Sequence, residues 1–315
     1  MISRFIGEVG SVYLFNRNGS IWGPPVTEIN GNVSTGGFGS SLAMSSDMAL
    51  VGAPGPPDES LGTVTVLART GAVWSVLETI DGPGTKERRS FGQSIAFSGN
   101  TAVIGAPHSD TGAGSASGNA FVFTTTGSGW IPKTRLEADD ESEDDAVGTS
   151  VAIEGNTAII GAPFDSYYPD QNHFDAPVQS GCAYIFVREG MSWGQQAHLV
   201  LKYSPFSERF GNSVAISGDT VLVGRNSNYF GVDASVFTRT AGRWSDEGDL
   251  PLPYSPRIST GPALSICGNT AMVGANGDQV VYVYERIGAT WNALTSSTVS
   301  NIFLKNLLLL RFQAP

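Results

Sequence analysis

Two short apolar runs joined by a tight polar turn recur along this chain. In the clearest copies Ser213–Ser217 and Thr220–Gly224 flank Gly218-Asp219, Ser94–Ser98 and Thr101–Gly105 flank Gly99-Asn100, and Ser150–Glu154 and Thr157–Gly161 flank Gly155-Asn156. A weaker copy begins at Phe38, and another keeps Ile266 to Ala275 around Gly268-Asn269. The runs are too short for helices and have no 3.6-residue period, so they predict strands. Gly beside Asn or Asp tolerates the positive φ that a two-residue hairpin needs. After a variable loop comes a third run rich in aromatic and β-branched residues: Val12–Phe15, Val64–Leu67, Ala120–Phe123, Ala183–Phe186, Ala234–Phe237 and Val281–Tyr284. These are strand formers too.

A short Gly-bearing turn follows each third run and leads to a tryptophan that opens a fourth strand. The six tryptophans, Trp22, Trp74, Trp130, Trp193, Trp244 and Trp291, are separated by 52, 56, 63, 51 and 47 residues on subtraction. A unit of about 50 residues made of four short strands predicts an all-β β-propeller of four-stranded antiparallel blades. One such blade exposes two apolar faces, so blades must stack, with the tryptophans packed between them.

Full units fall at about 38–80, 91–137, 147–201, 210–250 and 261–297 of a single domain spanning 1–315. Residues 7–29 supply a third and fourth strand only. The apolar tail 299–313 is the candidate to complete that split blade, which makes six blades; a seven-bladed parent is the alternative. The apolar run at 302–310 is too short to span a membrane.

Phe-Gly at Phe38, Phe91 and Phe210, with Gly-Ala-Pro at Gly52, Gly105 and Gly161, resembles the FG-GAP repeat, which also builds the head of integrin α subunits. The similarity covers about residues 7 to 295. It implies a non-catalytic binding or adhesion-type module, extracellular or at the cell surface, although no signal peptide is visible in the first residues. Integrin-type blades often carry an acidic calcium loop between the first two strands. Here that position holds a tight turn in every copy, so those metal sites are not carried over.

A net charge of −11 disfavours nucleic acid and suits a basic partner. The ligand expected is a protein or a glycan. Cys182 and Cys267 occupy unmatched repeat positions, so no disulfide is expected. His108, His173 and His198 lie far apart in sequence and show no metal-ligand spacing. No catalytic motif, metal site or cofactor site is read from the chain.

Two segments break the repeat. Loop 163–181 is the longest departure and carries Tyr167, Tyr168, His173 and Phe174 beside Asp165, Asp170 and Asp175, a composition suited to binding. The crossing 137–145 has seven acidic residues among nine, including Asp139, Asp140, Glu141, Glu143, Asp144 and Asp145. Propeller topology brings it to one rim with loops 107–118 and 163–181. Two alternatives to the binding module stay open. One is a hydrolase on a propeller scaffold, which would need convergent His, Asp or Glu groups at the axial mouth. The other is a fragment of a larger extracellular protein.

Overall fold

The computed structural model describes residues 1–6, 9–31, 36–55, 61–84, 89–127, 129–166, 179–201, 208–227, 231–250, 263–275 and 280–298. They form strands without helix, in six antiparallel sheets whose strands follow chain order. Blade 1 has three strands, Ile2–Ile6, Val9–Asn18 and Ile21–Asn30. The other blades have four. Blade 2 comprises Ser41–Met44, Met48–Ala53, Thr63–Thr70 and Val73–Asp81. Blade 3 comprises Ser94–Ser98, Thr101–Ala106, Asn119–Thr125 and Trp130–Leu136. Blade 4 comprises Ser150–Glu154, Thr157–Ala162, Cys182–Glu189 and Ser192–Leu199. Blade 5 comprises Ser213–Ser217, Thr220–Ser227, Gly231–Thr240 and Arg243–Asp249. Blade 6 comprises Ala263–Cys267, Thr270–Ala275, Val280–Ile287 and Thr290–Thr298.

Five apolar clusters lie between successive blades, one for each of the five junctions from blade 1 to blade 6. The repeat motif explains how these junctions close. Phe91 is fully buried against Phe121 and Phe123 of blade 3 and shares a cluster with Val64 and Val66 of blade 2. Phe210 does the same between blades 4 and 5, beside Phe237. Replacing either by alanine would leave a cavity costing about 3–5 kcal/mol.

The glycine after each phenylalanine is equally constrained. Gly92 has φ +88°, and its carbonyl oxygen lies 2.1 Å from where a Cβ on Gly52 would sit. The Ser41 hydroxyl donates to that same carbonyl at 2.6 Å. Ser94 with Gly148 and Ser150 with Gly211 repeat the bond at 2.8 Å. The two glycines of the motif are therefore the two halves of one close contact between neighbouring blades.

Each tryptophan of blades 2 to 6 packs toward the preceding blade; Trp74, Trp130 and Trp291 are buried, while Trp193 and Trp244 are partly buried. Trp22 departs from the expectation, being 51% exposed. It belongs to the first blade, whose preceding neighbour in a ring is the last one, and no described residue fills the inner position of blade 1. A second correction concerns the same blade: residues before Gly7 also form a strand, Ile2–Ile6, paired with Val9–Tyr13. The tail 299–313, expected to complete this blade, lies outside the described residues.

The inner strands of blades 2 to 6 surround an axial cavity of about 900 Å³. Leu42, Ile95, Val151, Ile153 and Leu264 line it together with serines such as Ser45, Ser98 and Ser217, and Glu154 is the carboxylate among the lining residues. The convergent acid–base groups sought at the axis are not among them. They occur instead at the rim between blades 3 and 4.

Candidate active site

The rim site starts from the path of the chain into and out of blade 4. The acidic crossing enters the blade with Asp144 and Ala146 donating their amides to Ser115 and Ala116, and Val147 donating to Ser117. On its other side the Phe164 amide reaches the Asp145 carbonyl at 3.4 Å. The crossing thus lies against both loop 107–118 and the start of loop 163–181. Asp165 clasps the ends of that long loop: its amide donates to Ala162, and its carbonyl accepts from Gly181.

Blade 4 then supplies three side chains toward blade 3. Cys182 and Tyr184 alternate to one face of the third strand, and His198 stands opposite Tyr184 on the outer strand. The Tyr184 hydroxyl donates to Asp165 Oδ2 at 2.9 Å. The Tyr184 and His198 rings stack with centroids 4.7 Å apart and planes at 22°. His198 Nδ1 lies 3.2 Å from Asp140 Oδ2 of the crossing. The potential ligand atoms of Asp165, Cys182 and His198 all lie within 4.8 Å of one another.

Burial sets the electrostatics. Cys182 is inaccessible, Asp145 and Asp165 are nearly so, and His198 and Asp140 form the side open to solvent. Desolvation is the main cause that raises the Asp145 carboxyl to about 7. The Ser142 amide, 2.5 Å from Asp145 Oδ2, works against it, while Asp165, Asp140 and Glu141 add repulsion. Asp165 is also raised, first by burial, and its bond from Tyr184 and the nearby His198 pull it back. Burial pushes the Cys182 thiol well up, with the Asp165 charge adding to the effect. A buried carboxyl titrating near neutrality among other acids is a pattern met at sites that move protons.

The structure divides the sequence-predicted residues into three groups. Asp165, Asp140 and Asp145 come together in this site. Asp145 is not part of a solvated rim as expected, because it turns under the crossing to bond Ser142; Asp139 and Asp144 are exposed, as are Glu143 and, in part, Glu141. Tyr167, Tyr168, Asp170, His173, Phe174 and Asp175 lie outside the described residues. Sequence reasoning missed Cys182, Tyr184 and His198, which are spaced like ordinary strand residues and converge only through cross-strand pairing. Both cysteines are free. Among the described residues no helix is long and apolar enough to cross a membrane.

The FG-GAP repeat family matches residues 74–123, 130–186 and 193–237. Among solved structures, the periplasmic gluconolactonase of Pseudomonas aeruginosa superposes with a TM-score of 0.50 at 13% identity, covering 92% of each chain. A candidate 6-phosphogluconolactonase from Bacteroides uniformis superposes with a TM-score of 0.49 at 13% identity, covering 83% of this chain and 85% of its own. No curated protein matches this sequence. The lactonase of Pseudomonas corrects the expectation of a non-catalytic, non-enzymatic module. The same fold over nearly the whole of both chains carries an enzyme there, so the propeller gives no ground for excluding catalysis. The likeness itself is one of fold.

Proposed function

We propose that this FG-GAP repeat β-propeller is a hydrolase of carboxylic esters, lactones included, with its reaction centre at the rim between blades 3 and 4. The observation that carries the reading is the convergence of Asp165, Cys182 and His198 beside a carboxyl that titrates near 7. His198, oriented by Asp140 through Nδ1, and Asp165 hold the attacking water. Asp145 accepts the water's proton as its oxygen attacks the carbonyl carbon. When the bond to the leaving alkoxide breaks, Asp145 returns that proton to it, giving an acid and an alcohol, or a hydroxy acid from a lactone. Substrate approaches on the side of Asp140 and His198, which is the solvent-facing side.

The loop beginning at Asp165 carries Tyr167, Tyr168, Asp170, His173, Phe174 and Asp175, and we assign it to substrate contact on its composition. Family resemblance supports an extracellular or cell-surface setting.

The test is a panel of gluconolactone, other lactones and p-nitrophenyl esters, assayed across pH. The expected kcat/KM rises with pH through about 7, as Asp145 deprotonates. His198→Ala should lower it about 10²–10⁴-fold, and Asp145→Asn should remove the rise near pH 7. Tyr167→Ala and Tyr168→Ala should act on KM more than on kcat. No turnover of any ester or lactone, or full turnover in His198→Ala, would sink the reading.

A further inference from the structure

We propose that Asp165, Cys182 and His198 form a zinc site in blade 4. A carboxylate oxygen, a sulfur and an imidazole nitrogen are each zinc ligands, and tetrahedral zinc with bonds of about 2.0–2.3 Å sets its ligand atoms roughly 3.3–3.8 Å apart. The three atoms here already lie within 4.8 Å of one another, so an approach of about 1–1.5 Å closes the shell.

The surroundings suit the ion as well as the ligands do. Asp140 engages His198 Nδ1, so coordination through Nε2 would reproduce the carboxylate–imidazole–metal arrangement that fixes ring orientation. Tyr184 donates to Oδ2 of Asp165 and so orients the carboxyl, which also shares a hydrogen bond with the Cys182 thiol. Sulfur selects zinc over calcium or magnesium, which prefer oxygen throughout. The divalent ion, one thiolate and one carboxylate sum to zero charge, the cheapest state for a buried assembly. Zinc would take the place of the Cys182 thiol proton, and of the Asp165 proton where it is held. Three protein ligands leave the fourth position for water, as in catalytic rather than structural zinc sites.

The other blades do not repeat the set. The positions matching Cys182, Tyr184 and His198 hold Asn119, Phe121 and Arg135 in blade 3, and blade 5 has Ser235 and Asp249 at the last two. One ion per chain is therefore expected. The catalytic part of this inference rests on the hydrolase reading: bound zinc would hold the water, His198 would be a ligand, and Asp145 would remain the proton acceptor. Binding itself does not depend on that reading.

The experiment uses the full chain, stripped with a chelator and titrated with zinc by calorimetry and elemental analysis. One zinc per chain is expected. Repetition in buffers of different ionisation enthalpy should show proton release. Cobalt should give a thiolate-to-metal charge-transfer band that Cys182→Ser abolishes and Cys267→Ser keeps. Asp140→Asn should weaken zinc about 10–100-fold. His198→Ala, at a partly exposed position, should weaken it at least as much without unfolding the chain. Absence of stoichiometric binding, or binding that survives both Cys182→Ser and His198→Ala, would overturn the site; the second result would point to the acidic crossing instead. Zinc bound without ester or lactone turnover would sink the hydrolase reading and leave the site standing. Turnover that persists after chelation in a chain that binds no zinc would do the reverse.

Discussion

Asp145 and Glu208 stand at one position of the repeat, each three residues before the glycine that enters the next blade, and both are nearly buried. Their settings differ, first in a cation. Blade 5 has Arg225 after the glycine of its second strand, where blade 4 has Ala162. Arg225 lies 3.4 Å from Glu208 and 3.0 Å from Asp249, and Ser235 donates to the other oxygen of Asp249 at 2.6 Å. In blade 4 no guanidinium stands at that position, the cross-strand partner of Tyr184 is His198 instead of an acid, and burial leaves Asp145 and Asp165 reluctant to ionise. Even the backbone differs: the Asn226 amide donates to Glu208, but Pro163 has no N–H, so the longer bond from Phe164 reaches Asp145. One scaffold position thus serves stability in blade 5 and, in our reading, chemistry in blade 4. The difference is whether a fixed cation accompanies the buried acid.

The largest effect is expected from breaking the blade 5 arrangement. Arg225→Ala leaves Glu208 buried without its guanidinium and should cost about 3–5 kcal/mol, because removing one partner strands the other charge. Denaturant unfolding of the full chain at neutral pH measures it. A loss below about 1 kcal/mol would show that Glu208 does not depend on Arg225, and the contrast between the blades would collapse.

Asp145 should behave in the opposite sense. Its folded pKa of about 7 lies above the ordinary 3.8, so the folded state holds a proton that the unfolded chain has released. Its contribution is most favourable below about pH 4, is lost progressively as pH rises from 4 to 7, and is constant above. The penalty at pH 8 is about 4 kcal/mol. Asp145→Asn, which keeps an acceptor for the Ser142 amide, should therefore stabilise the chain at pH 8 and flatten the pH dependence between 4 and 7, while Glu208→Gln should destabilise it at pH 8. Unfolding curves at pH 4.5 and 8 decide; equal slopes in wild type and Asp145→Asn would contradict the assignment.

The legible and illegible parts of this molecule divide along the same line. Phe91, Gly92, Gly52 and Ser41 are readable because every junction reuses them, and a contact that admits only glycine leaves a fixed mark in sequence. The fold, the repeat units and the meeting of crossing 137–145 with loop 163–181 follow from that periodicity. The site is built from what does not repeat. His198 faces Tyr184 only because a bulge between Ile185 and Phe186 shifts the pairing by one residue; without it Ala197 would stand there. The bulge recurs in the other four-stranded blades, yet it has no fixed residue, so three histidines far apart in sequence gave no sign that one of them meets Cys182 and Asp165. Trp22 is the converse case: its motif is intact, but its burial depends on a neighbouring blade rather than on its own sequence.

The smallest expected effect sharpens the comparison at a single hydrogen bond. Tyr184 and Ser235 occupy matching positions on the third strands, and each hydroxyl donates to a carboxyl group: Tyr184 to Asp165 across the blade edge, Ser235 to Asp249 on the paired strand. A bond to an ionised acceptor contributes about 1.5–3 kcal/mol, and a bond to a neutral one about 0.5–1.5. Asp249 is paired with Arg225, so Ser235→Ala should cost about 2 kcal/mol at neutral pH. Asp165 is raised by burial, so Tyr184→Phe should cost nearer 1 kcal/mol where Asp165 is protonated and more once it ionises. The cost of Tyr184→Phe should therefore grow with pH. Removing the hydroxyl also removes a force that lowers the Asp165 pKa, so Asp165 should titrate higher in the variant, an upward shift that NMR of a 13C-labelled carboxyl can follow. A pH-independent cost equal to that of Ser235→Ala would mean that Asp165 is ionised throughout, and blade 4 would then hold its acids in the same way as blade 5.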